Sequence, residues 1–227
     1  VKALQFSYTD KPFMENINFD VARGEIFGFL GPSGAGKSTL QKILTGLIKR
    51  YTGNVIVAGE EIRQHGSQFH ENIGVDFEFP SLYEKLTARE NLNFFASLYT
   101  KSRDADELLD RVGLLSEADK TVSDYSKGMK SRLNFIKALL HDPAVLFLDE
   151  PTSGLDPSNV RNMKDIILAE KARGKTILLT THNMYDAAEL CERVAFIIDG
   201  QIRALDTPRN LIMSKGATKI EYTYLKD

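Results

Sequence analysis

Glu25-Ile-Phe-Gly-Phe-Leu-Gly-Pro-Ser-Gly-Ala-Gly-Lys-Ser38 changes character twice along its length. Residues 25–30 are a short apolar run bounded by glycine, which predicts a buried strand. Gly31–Gly36 is a glycine-rich turn. From Lys37 onward Leu40, Ile43, Leu44, Leu47 and Ile48 recur at the helical period, so a helix is expected there. Strand, loop and helix in this order carry G-x-x-x-x-G-K-[ST] complete at Gly31–Ser38. In such a loop (Gly31, Pro32, Ser33, Gly34, Ala35, Gly36) the glycines let backbone N–H groups turn inward around a phosphate. The helix start adds unpaired N–H groups and the positive end of its dipole. Lys37 supplies a point charge for β- and γ-phosphates, and the Ser38 hydroxyl is a ligand for Mg²⁺.

Outward from this unit, apolar strands and helical patterns alternate. Strands are expected at Val55–Val57, Ile73–Phe77, Ala144–Leu148, Lys175–Thr181 and Val194–Asp199, and helices at Pro157–Arg173 and Met184–Glu192. A helical block fills roughly Glu78–Pro143. It turns helical from Thr87, has a short helix around Leu108, Leu109 and Val112, and has a third helix over Met129–Leu140. Short apolar strands alternating with helices predict an α/β fold with a mainly parallel sheet. Leu4, Phe6 and Tyr8 alternate instead, as in an antiparallel flank. Asp149 closes the run Val145–Leu148, so its carboxylate stands at the carboxyl end of a parallel strand, where ligands bind. There it is placed to hold Mg²⁺, and Glu150 to orient or deprotonate an attacking water. A lone Asp-Glu pair is more often a solvated strand end; the phosphate loop changes that reading.

The chain has 227 residues, 26% charged and 42% hydrophobic, with 29 Lys plus Arg against 31 Asp plus Glu. The length predicts one large domain, or one with a lobe inserted. The formal net charge of −2 gives no broad basic surface, so nucleic acid is not an expected partner. One cysteine, Cys191, cannot form an internal disulfide, so a reducing compartment is expected. No apolar run reaches the ~18–20 residues of a membrane span, and no signal-peptide pattern opens the sequence at Val1. His65, His70 and His141 show no metal-ligand spacing, and Lys101–Asp110 reads as a solvated helix face.

Together these motifs, in this order, resemble the ATP-binding cassette (ABC) ATPases over about Leu4 to Asp206. The resemblance implies a P-loop NTPase core, residues 1–77 and 144–227, with an inserted helical lobe, residues 78–143. It makes Gly31–Thr39 the nucleotide loop, Asp149 the metal-site acid and Glu150 the catalytic glutamate. Ser153-Gly154-Leu155-Asp156 matches the D-loop, which crosses a dimer interface in the family. His182 matches the switch histidine that contacts γ-phosphate. Tyr8 stands where the family places an aromatic against adenine; packing on the sheet is the alternative reading.

Two positions depart from the family pattern. The signature Leu-Ser-Gly-Gly-Gln is here Tyr125-Ser126-Lys127-Gly128-Met129, which retains the serine and one glycine that meet γ-phosphate across the dimer. Lys127 either reaches the ATP of the opposite subunit or points to solvent; the second is expected. Glu78 replaces the Q-loop glutamine and can bind Mg²⁺ or a water. Both departures resemble the branch that exports drugs, antibiotics, lipids or polysaccharides. The resemblance therefore implies ATP and Mg²⁺, a second ATPase subunit, identical or not, and separate transmembrane permease subunits served at the cytoplasmic face of the membrane. The FPSLY stretch, Phe79–Tyr83, is the expected partner contact, which a charge at Leu82 should break; ordinary lobe core is the alternative reading. Importer subunits and soluble cassettes acting on ribosomes or DNA are the rival classes. Soluble relatives carry two cassettes or long coiled-coil insertions, neither of which is visible here.

Overall fold

In the strand β3 (Ile26–Leu30) every residue is buried, and alternate side chains enter different cores. The computed structural model describes residues 1–214. Ile26 and Leu30 join the helices on one face of the main sheet, whereas Phe27 and Phe29 join α1 (Lys37–Leu44) and the N-terminal strands on the other. This period of two, with both faces covered, is why the strand reads as a continuous apolar run. Burial of each such phenylalanine contributes about 1.5–3 kcal/mol.

The N-terminal strands are β1 (Lys2–Phe6) and β2 (Met14–Ile17). β4 (Thr52–Asn54) joins them in an antiparallel three-stranded sheet of order β2-β1-β4. β5 (Ile56–Val57) and β6 (Glu60–Glu61) form a small hairpin. The expected strand at Val55–Val57 is thus only this hairpin arm, and it lies outside the main sheet. Ala58 and Gly59 both take left-handed φ, +52° and +87°, as a two-residue hairpin turn requires. α2 (Ser67–Asn72) precedes β7 (Ile73–Asp76).

Between β7 and β8 (Val145–Asp149) lie α3 (Ala88–Ala96), α4 (Ala105–Arg111) and α5 (Lys127–Lys137). Thr87 and Glu90 form a reciprocal capping box at α3, which is why the chain turns helical there. α5 starts two residues before the expected Met129, because the Ser126 hydroxyl caps it by accepting the Met129 amide, and it ends at Lys137. Leu133, Ile136 and Leu140 pack in the same buried cluster as Leu146 and Ile177 of the sheet, so these helices share one core with it.

α6 (Pro157–Ala172), β9 (Thr176–Thr181), α7 (Met184–Leu190), β10 (Arg193–Ile198), β11 (Gln201–Asp206) and α8 (Pro208–Ser214) complete the described chain. The main sheet has the order β11-β10-β3-β9-β8-β7, parallel throughout except for β11, which runs antiparallel to β10. The expected α/β class with a mainly parallel sheet and an antiparallel N-terminal flank is what the chain adopts. β11 was not expected, and α1 is shorter than its periodicity suggests. After Leu44 the Thr45 hydroxyl bonds back to the Gln41 carbonyl, and Gly46 takes a φ of +78°. Leu47 is consequently exposed. Residues 215–227 of the expected core lie outside the described residues. Among the described residues no helix is long and apolar enough to cross a membrane.

Candidate active site

The parallel strands deliver their carboxyl ends to one edge of the sheet. β3 leads into the glycine loop, β8 into Asp149 and Glu150, β9 into His182, and β7 toward Glu78. A cleft of about 220 Å³ opens there. It is lined by Ser33, Gly34, Gly36, Lys37, Ser38 and Thr39 of the loop together with Glu78, Asp149, Glu150, Ser153 and His182. A larger hollow of about 460 Å³ at the opposite end of the strands is lined by Phe19, Val145, Phe147 and Leu178, and holds none of these groups.

Two glycines of the loop have no substitute. A Cβ on Gly31 would lie 2.1 Å from the Ile197 carbonyl oxygen, and Gly36 combines a φ of +109° with a would-be Cβ contact of 2.8 Å to Met14. Gly36 caps α1 without any side chain, and the first turn of α1 carries no acid. Its N–H groups and dipole are therefore left for an anion. Lys37 is buried, and its Nζ donates to the carbonyls of Gly31 at 2.7 Å and Pro32 at 3.0 Å. Burial holds its pKa below the ordinary lysine range, against the opposing charges of Glu150, Asp149 and Glu78. The ammonium thus clasps its own loop in a site whose acids favour a cation.

Opposite the loop, Ser38 Oγ lies 3.3 Å from Asp149 Oδ1, and Lys37 Nζ lies 4.0 Å from Glu150 Oε1. His182 Nδ1 lies 2.9 Å from the same Glu150 oxygen, on a ring that is 61% exposed. Glu150 takes a φ of +52° just before Pro151, a backbone conformation that costs on the order of 1 kcal/mol. Its amide is held by the Thr180 carbonyl at 3.1 Å and the Thr180 hydroxyl at 3.2 Å. That hydroxyl in turn donates to Asp149 Oδ1. Thr180 was not singled out from the sequence, although its place at the end of an apolar strand, like that of Asp149, was available. What local pattern could not supply is the register that sets Thr180 opposite Asp149.

Tyr8 lies beside the loop rather than in the cleft. Its hydroxyl is 2.7 Å from Thr39 Oγ1, and its ring meets Phe6 edge-on while remaining 62% exposed. Ser126, Lys127, Gly128 and Met129 are absent from the cleft lining. They form the N-terminus of α5, with Ser126 and Lys127 exposed and Gly128 and Met129 half-buried, and Lys127 Cε and Nζ lie 3.7 Å from the point a Gly154 Cβ would occupy. Of the Ser153–Asp156 segment only Ser153 faces the cleft. Leu155 packs on the core, and Asp156 caps α6 by accepting the amides of Ser158 and Asn159.

The cleft can cradle a polyphosphate on backbone N–H groups, offer hard oxygen ligands from Ser38 and Asp149, and hold a carboxylate at its far wall. A sequence model of the ABC transporter family matches residues 14–153. The chain is 51% identical, over all of its length and 76% of the relative's, to a fluoroquinolones export ATP-binding protein of Mycobacterium tuberculosis. It is 41% identical, over 95% of its length and 66% of the relative's, to the Nod factor export ATP-binding protein I of Rhizobium meliloti. A solved ATP-binding subunit of an ABC transporter superposes with a TM-score of 0.86 at 30% identity, covering 95% of this chain and 92% of that one. The chain belongs to the ABC transporter family, as one of its ATP-binding, ATP-hydrolysing subunits.

Proposed function

We propose that this ATPase drives export, working as a dimer on separate transmembrane permease subunits at the cytoplasmic face of the membrane. Its two relatives named above are both export proteins, with different cargoes in their names. The observation that carries the site reading is the convergence of Lys37, Asp149, Glu150 and His182 at the ends of the adjacent strands β3, β8 and β9. Gly31–Thr39 bind the phosphates, with Lys37 leaving the Gly31 and Pro32 carbonyls for phosphate oxygens, and Tyr8 flanks the base. Glu150 takes a proton from the water that attacks γ-phosphate. His182, bonded to Glu150, holds that carboxylate in place and senses the phosphate. As in phosphoryl transfer generally, the protein's contribution is positioning and charge stabilisation.

Ser38 and Asp149, with Glu78 across the cleft, are an all-oxygen donor set that fits Mg²⁺. Bound there, the cation supplies charge neutralisation for the phosphate oxygens. Ser126, Lys127, Gly128 and Met129 lie outside the lining of their own cleft, which suits a signature that serves the ATP of a second subunit. Ser153–Asp156 run between the cleft and this signature, as a dimer-facing loop would. Residues 78–143 are then the helical lobe inserted into the core formed by residues 1–77 and 144–214. Phe79, exposed beside Glu78, is the better partner contact; Leu82 is half-buried against the core.

Purification from detergent-extracted membranes tests this reading. The tagged chain should recover an integral membrane protein, and Phe79→Asp should lose it while MgATP binding persists. Recovery of the chain from the soluble fraction alone, with no membrane partner, would contradict it.

A further inference from the structure

Asp76 ends β7 with its carboxyl buried, two residues before Glu78. Asn134, in the middle of α5, is buried as well, and its amide spans the whole segment that carries Glu78. Nδ2 donates to Asp76 Oδ1 and, at 3.2 Å, to the Phe77 carbonyl, while Oδ1 accepts the Ser81 amide at 3.2 Å. One turn further on, Lys137 Nζ donates to the Ser81 carbonyl at 2.9 Å and lies 4.8 Å from the centre of the Phe95 ring. Both ends of the Glu78 loop are therefore tied to one helix, by an Asn134 amide that uses both of its donors and its acceptor oxygen and by the Lys137 ammonium. That helix starts at the Ser126 cap, about 12 Å from Asn134 at 1.5 Å per residue. Elsewhere in an apolar helix stripe a buried Asn would be a cost without a gain; here it joins two segments that have no backbone pairing with each other.

We propose that Asn134 is a positioning residue: with Asp76 and Lys137 it makes the Glu78 loop follow α5, so that displacement of the Ser126–Gly128 end is transmitted to the phosphate cleft. This rests on the reading of Glu78 as part of the nucleotide site. A merely structural pair would be replaceable by apolar groups of similar size at a cost in stability alone, set by the Phe77 carbonyl and the Ser81 amide that lose Asn134 as a partner. A transmitting pair would not.

The test uses the full chain carrying Phe79→Trp, an exposed reporter on the loop in a protein with no other tryptophan. Expected for Asp76→Val/Asn134→Leu are a cooperative but lowered melting transition, MgATP affinity within twofold, turnover at least fivefold lower, and loss of the ATP-dependent change in tryptophan emission. Asp76→Asn, whose amide oxygen still accepts from Asn134, should retain turnover and emission change. Lys137→Met leaves the buried pair intact and should lower turnover two- to fourfold, so the test stands even if the double variant fails to fold. Parental turnover and emission change in Lys137→Met, or in a folded double variant, would overturn the proposal. Glu78→Ala in the same assay separates the two readings. Unchanged turnover there removes Glu78 from the nucleotide site, while the emission change still tests the link to α5.

Discussion

Thr180 stands directly opposite Asp149 in the β8–β9 register, and its hydroxyl donates to the Asp149 carboxylate while accepting the amide of Glu150. One hydroxyl thereby fixes two of the three acids of the cleft, Asp149 through its side chain and Glu150 through a strained backbone. Thr180→Val keeps the shape of the strand and removes this connection. It should cost about 1–3 kcal/mol of stability, because a buried carboxylate and an amide each lose a partner. Turnover should fall about tenfold with MgATP affinity nearly unchanged. Thr180→Ser should restore both. Equal turnover in the valine and serine variants, measured at saturating MgATP, would show that the hydroxyl has no part in placing Glu150.

The Lys37 ammonium is buried on its own loop carbonyls in a cleft lined by three acids. Charge-assisted bonds to phosphate are each worth about 1.5–3 kcal/mol, so Lys37→Ala should weaken MgATP binding by about 10- to 100-fold. Calorimetric titration of a variant that still melts cooperatively is the check. Unchanged affinity would remove Lys37 from the phosphate site.

Asp76 provides a pH dependence with a defined sign. Burial pushes its carboxyl up to about 7; the Asn134 amide and the Lys137 ammonium oppose the shift and the Asp149 charge adds to it. A folded-state value above the unfolded one means that folding takes up a proton between about pH 4 and 7. Stability from this group is fully present below that window and is lost as the pH rises through it. Burial also lowers Lys137, to about 8, and that group acts only above the window. Asp76→Asn should therefore melt close to the wild type at pH 5 and several degrees above it at pH 8. A constant difference across this range in calorimetric scans would contradict the buried carboxyl.

Lys127 is exposed at the start of α5, with its stem along Gly154 and, among the described residues, no ion pair. Its backbone, with the Ser126 cap, already presents the helix N-terminus. Lys127→Gly should lower the melting point slightly, since glycine costs about 1 kcal/mol in a helix. It should change ATP turnover of the assembled transporter by less than about threefold. A tenfold loss with unchanged affinity in the isolated subunit would place the ammonium in the composite site.

The parts of the site that were legible in the sequence are those whose geometry is local. The loop Gly31–Ser38 needs only a strand before it and a helix after it, and Asp149 and Glu150 need only the end of an apolar strand; His182 was legible only through the family resemblance. Thr180 and Asn134 escaped because their roles depend on strand register and on which loop a helix packs against. β11 escaped because, as an edge strand, it is half-exposed on both faces and shows no clean alternation. β2 buries only Met14 and Ile17, and α2 buries only Phe69, so neither presents a period. The opposite error, an α1 run on to Ile48, came from apolar residues that continue the period after Gly46 has turned the chain.

Glu150→Gln tests most directly whether Glu150 prepares water for attack on a nucleotide held by Lys37. The amide keeps the size and the contact with His182 but gives up the accepting charge. MgATP should bind with unchanged affinity, steady-state turnover should fall by about 10²–10⁴, and gel filtration with ATP should show a dimer that the wild type forms only transiently. Wild-type turnover, with a monomer in the presence of ATP, would contradict the account.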